Sequence, residues 1–257
     1  MTTLLPILLL GFFLGMRHAT DSDHVVAVTT IVSRQRRIWD AAWTGIFWGI
    51  GHSLTLLVVG GAIILFGIVV PARLGLSFEF CVALMLILLG ALNLQATFRS
   101  VEKISAANDP AHQHTHQHGD YVHSHTHGHE RATHGRSENN LPPALLDRRF
   151  DRLKIYQALR PLVIGTVHGL AGSAAVALLV LPIIHDPAWA MGYLLVFGVG
   201  TIAGMMLITA AIALPVSYSL RFQFLYRHLG TAAGFLSLGF GLFLVYQIGF
   251  VDRLFTK

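Results

Sequence analysis

Six long apolar segments dominate this chain and restrict what it can fold into. A helix of about 20 apolar residues crosses the hydrocarbon core of a bilayer, because all its backbone polar groups are satisfied within the segment. Only 12% of the residues are charged, well below the share of about a quarter that soluble domains carry. The sequence therefore predicts an all-α polytopic membrane protein with about six transmembrane helices. The predicted spans are residues 4–32, 42–70, 78–98, 161–184, 189–215 and 229–250.

The two halves of the chain resemble each other. Gly15 to Ala19 aligns with Gly165 to Gly169 at an offset of 150 residues, and Trp48 to His52 aligns with Phe197 to Thr201 at an offset of 149. With three spans in each half, the second copy enters the membrane from the opposite side, which is the inverted-repeat plan of many secondary transporters. The alternative to a repeat is that two unrelated helices align only because both are rich in glycine. We expect a first three-helix repeat at 1–98, a hydrophilic loop at 99–160 and a second three-helix repeat at 161–257.

Basic residues collect on one side of the predicted bundle. The loops after the first, third and fifth spans hold 14 of the 18 Lys and Arg residues. Because the basic side of a multi-pass protein is cytoplasmic, the hydrophilic loop is predicted inside the cell and both termini outside. This points to an integral protein of a bacterial-type inner or cell membrane, with the lipid bilayer as its partner. It also argues against nucleic-acid binding, despite the formal net charge of +5.

One strongly polar stretch lies inside the first apolar segment, from Arg17 to His24. Ionisable residues at the centre of a span are costly unless they are paired or face an aqueous cavity, so they are candidates for function. On a continuous helix His18, Asp21 and His24 would form one slanting stripe, from which Asp23 would point away. Chelation of one ion by both histidines therefore needs a helix break or a ligand from another span. Aspartate and serine are poor helix formers, so such a break is possible here.

The expected ligand from another span is His52, in the middle of the second span. Imidazole together with carboxylate suits Ni, Co, Zn, Cu or Fe rather than Mg or Ca. Arg17 and Asp21 are expected to neutralise each other at helical spacing, which is compatible with a metal site. The alternative is that the whole polar cluster is purely structural. The role of His168 is left open: it is either a packing histidine or a residue of an ion pathway. The predicted metal-binding residues are His18, Asp21, Asp23, His24 and His52.

The hydrophilic loop carries a histidine tract. Nine of the 15 histidines lie between His112 and His134, mostly in a His-x-His rhythm. Such tracts bind transition metals weakly and repeatedly. The tract therefore indicates contact with metal ions, without indicating a direction of transport.

The two polar motifs resemble those of the nickel/cobalt transporter (NiCoT) family. Arg17 to Val25 is similar to the family signature Arg-His-Ala-x-Asp-Ala-Asp-His-Ile, and Phe47 to Ser53 resembles its second motif, Phe-x-x-Gly-His-Ser, with one more residue before the glycine. The resemblance implies that His18, Asp23 and His24 select the metal and that His52 supports them. The family's later acidic motif is missing, since residues 168–175 contain no carboxylate, and six spans replace the eight of many members. The chain resembles a divergent six-span branch.

These observations favour a non-enzymatic transporter of divalent transition-metal cations, above all nickel and cobalt. The ion would be cargo, and no cofactor is expected. Efflux instead of uptake, or metal delivery as an accessory component for a nickel enzyme, would use the same residues. A membrane metalloenzyme is disfavoured because the His-Glu-x-x-His motif is absent. A homo-oligomer or a complex with a partner subunit is compatible with the sequence.

Overall fold

The structure, a computed structural model, describes residues 4–33, 35, 37–67, 71–105, 113–118, 121–126, 154–171, 184, 186–219 and 223–255. Within these residues it contains seven α-helices, one of them extended by a π-helical turn, and one β-hairpin. The helices are α1 (Leu4–His18), α2 (Ser22–Val32), α3 (Ile38–Phe66), α4 (Ala72–Ser105), α5 (Lys154–Gly169), α6 (Pro187–Ser219) and α7 (Gln223–Tyr246), which continues as Gln247–Val251; the strands are β1 (Gln113–His118) and β2 (Tyr121–Thr126).

In the part of the chain that the structure describes, four helices are long and apolar enough to cross a membrane: α3, α4 as far as Phe98, α6 as far as Tyr218, and α7 from His228 to Val251. Large apolar side chains such as Phe13, Val58 and Phe243 are exposed on the outside of the bundle. Lipid tails can solvate such a surface, as expected of an integral membrane protein. The all-helical bundle is thus confirmed, and its long apolar helices are consistent with an integral membrane protein.

The first apolar segment is two helices instead of one. α1 and α2 are shorter apolar helices, separated at residues 19–21. The fourth predicted span begins as α5, and its remainder, residues 172–183, lies outside the described residues. α6 continues through Pro215, where the predicted fifth span ends, and reaches Ser219. Proline is tolerated within membrane helices because neighbouring groups satisfy the freed backbone carbonyl.

Glycine allows α1 to pack closely against α6. A Cβ atom on Gly15 would overlap the carbonyl oxygen of Phe197, and a Cβ atom on Gly200 would overlap that of Phe12. Small residues at such positions let helix backbones approach where no hydrophobic force drives helices together.

The same reciprocal contact joins α3 to α5. A Cβ atom on Gly51 would overlap the carbonyl oxygen of Leu162, and one on Gly165 would overlap that of Trp48. α3 also packs along α6, so α3 lies between α5 and α6. This central helix carries His52.

α4 and α7 form the third close pair. A Cβ atom on Gly90 would lie 2.8 Å from the carbonyl oxygen of Gly234, and one on Gly241 would lie 2.9 Å from that of Ala83. The Ser237 hydroxyl donates to the Leu86 carbonyl across this interface at 2.8 Å.

The hydrophilic loop contains an antiparallel hairpin that the sequence analysis does not anticipate. Its register pairs His114 with His125 and His116 with His123. A residue pattern with a period of two matches an extended strand, and the His-x-His rhythm has that period. α4 extends to Ser105 and α5 begins at Lys154, so helical structure also reaches into both ends of the predicted loop.

Candidate metal centre

The break between α1 and α2 brings polar groups into the apolar bundle. The backbone N–H of Asp21 donates to the carbonyl of His18, three residues back, at 3.1 Å, and Asp21 itself has an extended backbone at φ −59° and ψ 146°. α1 therefore ends at His18 and α2 begins at Ser22. His18 in the last turn of α1 then faces His24 in the first turn of α2, with ring centroids 4.8 Å apart. The sequence predicted that such a break was possible, and the structure contains it.

Three imidazoles converge at this break. Nε2 of His18 lies 2.9 Å from Nε2 of His52, which α3 supplies. The ring centroid of His24 lies 5.1 Å from that of His52. One nitrogen from each ring can be chosen so that all three atoms lie within 4.8 Å of one another, and all three side chains are buried.

Two carboxylates accept hydrogen bonds from the Nδ1 atoms of two of these rings. Oδ2 of Asp21 accepts a hydrogen bond from Nδ1 of His18 at 2.8 Å, and Oδ1 of Asp23 accepts one from Nδ1 of His24 at 3.0 Å. A hydrogen on Nδ1 leaves the lone pair on Nε2, which is the tautomer that can bind a metal ion. Among the described residues, Nε2 of His24 has no hydrogen-bond partner. In this arrangement both carboxylates orient histidines, and neither points into the space between the three imidazole rings.

The expected Arg17–Asp21 pair is not present in the described part of the chain. The i, i+4 spacing brings side chains together only on a continuous helix. Because α1 ends at His18, Asp21 pairs with His18 and Arg17 remains exposed.

His168 belongs to the same cluster, and the sequence left its role open. It lies in the last turn of α5, and its Nε2 donates to Oδ2 of Asp23 at 2.9 Å. Its ring centroid is 4.3 Å from that of His24, so Asp23 joins the two histidines. The signal that could have found it is the alignment of His18 with His168 in the two halves of the chain.

Aromatic rings enclose the cluster. Trp48 stacks against His24 at a centroid distance of 6.1 Å, and Phe197 lies 5.7 Å from His18. Both aromatic side chains are buried. On the neighbouring turn of α3, Ser53 donates to the Gly198 carbonyl of α6 at 3.0 Å, which fixes the rotation of α3 about its axis.

The arrangement can hold a transition-metal ion. Two imidazole nitrogens bound to one ion at about 2.0–2.1 Å lie roughly 3 Å apart when they subtend a right angle at the ion. The separation of 2.9 Å between Nε2 of His18 and Nε2 of His52 fits that spacing. Nitrogen-rich, buried ligands suit Ni, Co, Zn or Cu better than Mg or Ca.

Comparison with known proteins gives one relative of nearly full length. The chain is 34% identical over 252 residues to the urease accessory protein UreH of Bacillus sp. (strain TB-90), and the alignment covers 98% of this chain and 96% of the relative. Neither a protein-family model nor a solved structure matches the chain. At this identity and coverage, the chain belongs to the family of the urease accessory protein UreH.

Proposed function

We propose that the chain carries divalent transition-metal cations, nickel first and cobalt second, across a membrane through the histidine cluster at the break in its first apolar segment. The observation that carries this proposal is the convergence of His18, His24 and His52 inside an apolar bundle. Three buried imidazoles with two attached carboxylates are energetically costly inside an apolar bundle, so they are candidates for function. The relationship to a urease accessory protein supports a nickel-related accessory or transport role.

In this proposal the ion binds to Nε2 of His18, His24 and His52, which we call the first position. Asp21 and Asp23 hold His18 and His24 in the tautomer that leaves Nε2 free for the ion, and they offset the charge of the ion. The ion is cargo, and the protein is not an enzyme. The motif resemblance to the nickel/cobalt transporter family supports His18 and His24 as ligands, and the local geometry adds His52, which the resemblance implies only as a supporting residue.

We further propose that the two halves, 1–98 and 161–257, are inverted repeats. The reciprocal glycine contacts support this plan, because Gly15 and Gly165 occupy equivalent places in two different helix pairs. The turns that end α1 and α5 support this plan as well. The N–H of Ala171 donates to the His168 carbonyl at 3.1 Å, as that of Asp21 does to the His18 carbonyl.

The proposed topology is six spans, with α1 and α2 together as the first and α5 as the start of the fourth. The loop 99–160 would be cytoplasmic and both termini outside, following the Lys and Arg distribution. Broken helices at equivalent places in two repeats are the usual setting of a substrate site near the bilayer midplane.

The second candidate function is metal delivery without net flux, and the description of the relative as an accessory protein favours it. A flux assay separates the two. The purified chain is reconstituted into sealed vesicles that enclose a nickel-sensitive dye, and Ni²⁺ is added outside. Transport predicts dye quenching that disappears in the His52→Ala variant; specific binding to the protein with no quenching would favour delivery. Reversing the metal gradient and imposing a membrane potential or a proton gradient then tests direction and coupling.

A further inference from the structure

We infer that the chain has a second ion position beside the first one, formed by the Asp23 carboxylate, Nδ1 of His24 and Nε2 of His168. We also infer that an ion passes between the two positions by changing the ring nitrogen of His24 to which it is bound. This inference rests on the proposed transport function and extends it to a residue on α5 that belongs to neither polar motif.

The ligands of the second position lie close together in the structure. Oδ1 of Asp23 lies 3.0 Å from Nδ1 of His24, and Oδ2 lies 2.9 Å from Nε2 of His168. One ligand atom can be chosen from each of Asp23, His24 and His168 so that all three lie within 4.8 Å of one another. Both histidines are fully buried, whereas the Asp23 side chain keeps 20% of its surface exposed. An anionic carboxylate with two imidazoles is a common ligand set for a divalent transition metal.

Four buried ring nitrogens have no hydrogen-bond partner among the described residues: Nε2 of His24, Nδ1 of His168, Nδ1 of His52 and Nε1 of Trp48. The second position concerns two of them, Nε2 of His24, which faces the first position, and Nδ1 of His168. A buried polar atom without a partner is costly, and each such atom in a native structure calls for an explanation. Here the free nitrogens let both rings change tautomer. Each can carry the hydrogen when the opposite nitrogen binds the ion.

His24 is shared by the two positions through opposite ring nitrogens. Its ring centroid lies 4.8 Å from that of His18 on one side and 4.3 Å from that of His168 on the other. A neutral imidazole has only one nitrogen with a free lone pair. His24 can therefore serve one position at a time, and the chain holds one ion, either at the first position or at the second.

The transfer is balanced in protons. With the ion at the first position, His24 carries its hydrogen on Nδ1 and His168 carries its hydrogen on Nε2, and both donate to Asp23. When the ion moves to the second position, each ring releases that proton to water at the exposed side of Asp23 and takes up one from water at its other nitrogen, so two protons leave and two enter. Both rings stay neutral, Asp23 stays anionic, and the charge of the complex does not change.

A simpler role for His168 would be to position Asp23 by a hydrogen bond. Glutamine at this position distinguishes the roles, because its amide can donate to Asp23 but is a poor ligand for a transition metal. A positioning role predicts that His168→Gln behaves like the wild type. The ligand role predicts that it does not.

The binding test uses the full chain with the nine tract histidines replaced by glutamine, which we call the tract-substituted chain. We expect it to bind one Ni²⁺. Adding His18→Ala and His52→Ala should leave one ion, bound about 10–100-fold more weakly, with oxygen and two imidazoles in its X-ray absorption spectrum. His168→Gln in that background should remove this ion, and His228→Gln, at an exposed histidine near the start of α7, should not. Two ions in the parent chain, or no effect of His168→Gln, would overturn the inference.

The flux test keeps the first position intact. In sealed vesicles, His168→Gln alone should lower Ni²⁺ flux at least about tenfold while Ni²⁺ affinity stays near that of the tract-substituted chain. Flux at the parent rate, or an affinity that falls together with the flux, would overturn the second position. Absence of flux in the parent chain would reject the proposed transport function itself, so the two failures are distinguishable.

Discussion

At the scale of single residues, carboxylates decide which nitrogen of His18, His24 and His168 is free. Asp21 contacts one histidine and is nearly half exposed, whereas Asp23 contacts two and is more deeply buried. The motif alone indicated that both aspartates were important. It could not assign these pairings, because they depend on the turn between α1 and α2 and on the arrival of α5 from the other half of the chain.

Replacing either aspartate by asparagine should weaken Ni²⁺ binding, because asparagine has the same shape without the charge. The usual loss on removing a carboxylate behind a metal-bound histidine is about 10–100-fold. Asp23→Asn should lie at the upper end of this range and Asp21→Asn at the lower end, as measured by competition titration with a chromogenic chelator. Asp252→Asn, at an exposed aspartate, is the matched control. A larger effect of Asp21→Asn than of Asp23→Asn would contradict the assignment.

At the scale of elements, sequence predicted the helices better than their ends. Hydropathy identifies a span by the apolar run it contains, so α3, α4, α6 and α7 were foreseen as helices. The residues that end a helix act through local hydrogen bonds, which hydropathy does not register. The break after His18 was foreseen only as a possibility, and the hairpin in the histidine tract was missed. The role of His168 was left open because it follows from tertiary packing of α5 against α2 and α3.

Close helix packing makes the glycines at the crossings sensitive to substitution. Gly51→Ala would force α3 and α5 apart, and overpacking of this kind costs about 1–3 kcal/mol. We expect a lower thermal unfolding midpoint in detergent and loss of metal binding, since α3 carries His52. Gly239→Ala in α7 is the control, because a Cβ atom there meets nothing within 4 Å. It should leave the midpoint unchanged or raise it. An unchanged midpoint for Gly51→Ala would contradict the packing.

At the scale of the whole molecule, the proposed inverted repeats place the histidine cluster where the two halves meet. α1, α2 and α3 provide His18, His24 and His52, and α5 provides His168. The histidine tract belongs to neither half. It is joined to the bundle through a polar segment, so we expect it to collect metal ions without forming part of the central site.

The topology can be tested by cysteine labelling. In a chain with Cys81→Ser, single cysteines replace Asn108 in the predicted cytoplasmic loop and Thr256 near the predicted external terminus. A membrane-impermeant maleimide added to intact cells should label the cysteine at 256 and spare the one at 108 until the cells are opened. Labelling of position 108 in intact cells would reverse the proposed orientation.

Removal of the tract histidines should change the number of weakly bound ions and spare the central site. The tract-substituted chain should lose most low-affinity Ni²⁺ binding in equilibrium dialysis and keep one ion of high affinity. Loss of all binding, in a chain with an unchanged unfolding midpoint, would show that the tract itself is the principal site.

The most direct measurement of the central claim is the Ni²⁺ and Co²⁺ affinity of the tract-substituted chain beside His18→Ala, His24→Ala and His52→Ala in the same background. Metal binding requires neutral imidazole, so the titrations are done at one pH, near 7.5, where unperturbed histidine is mostly neutral. Each substitution removes one of three nitrogen ligands, and we expect each to lower the affinity for both ions by at least about tenfold. If all three variants keep the parent affinity, the cluster does not bind the metal, and the account of this protein as a metal carrier is wrong.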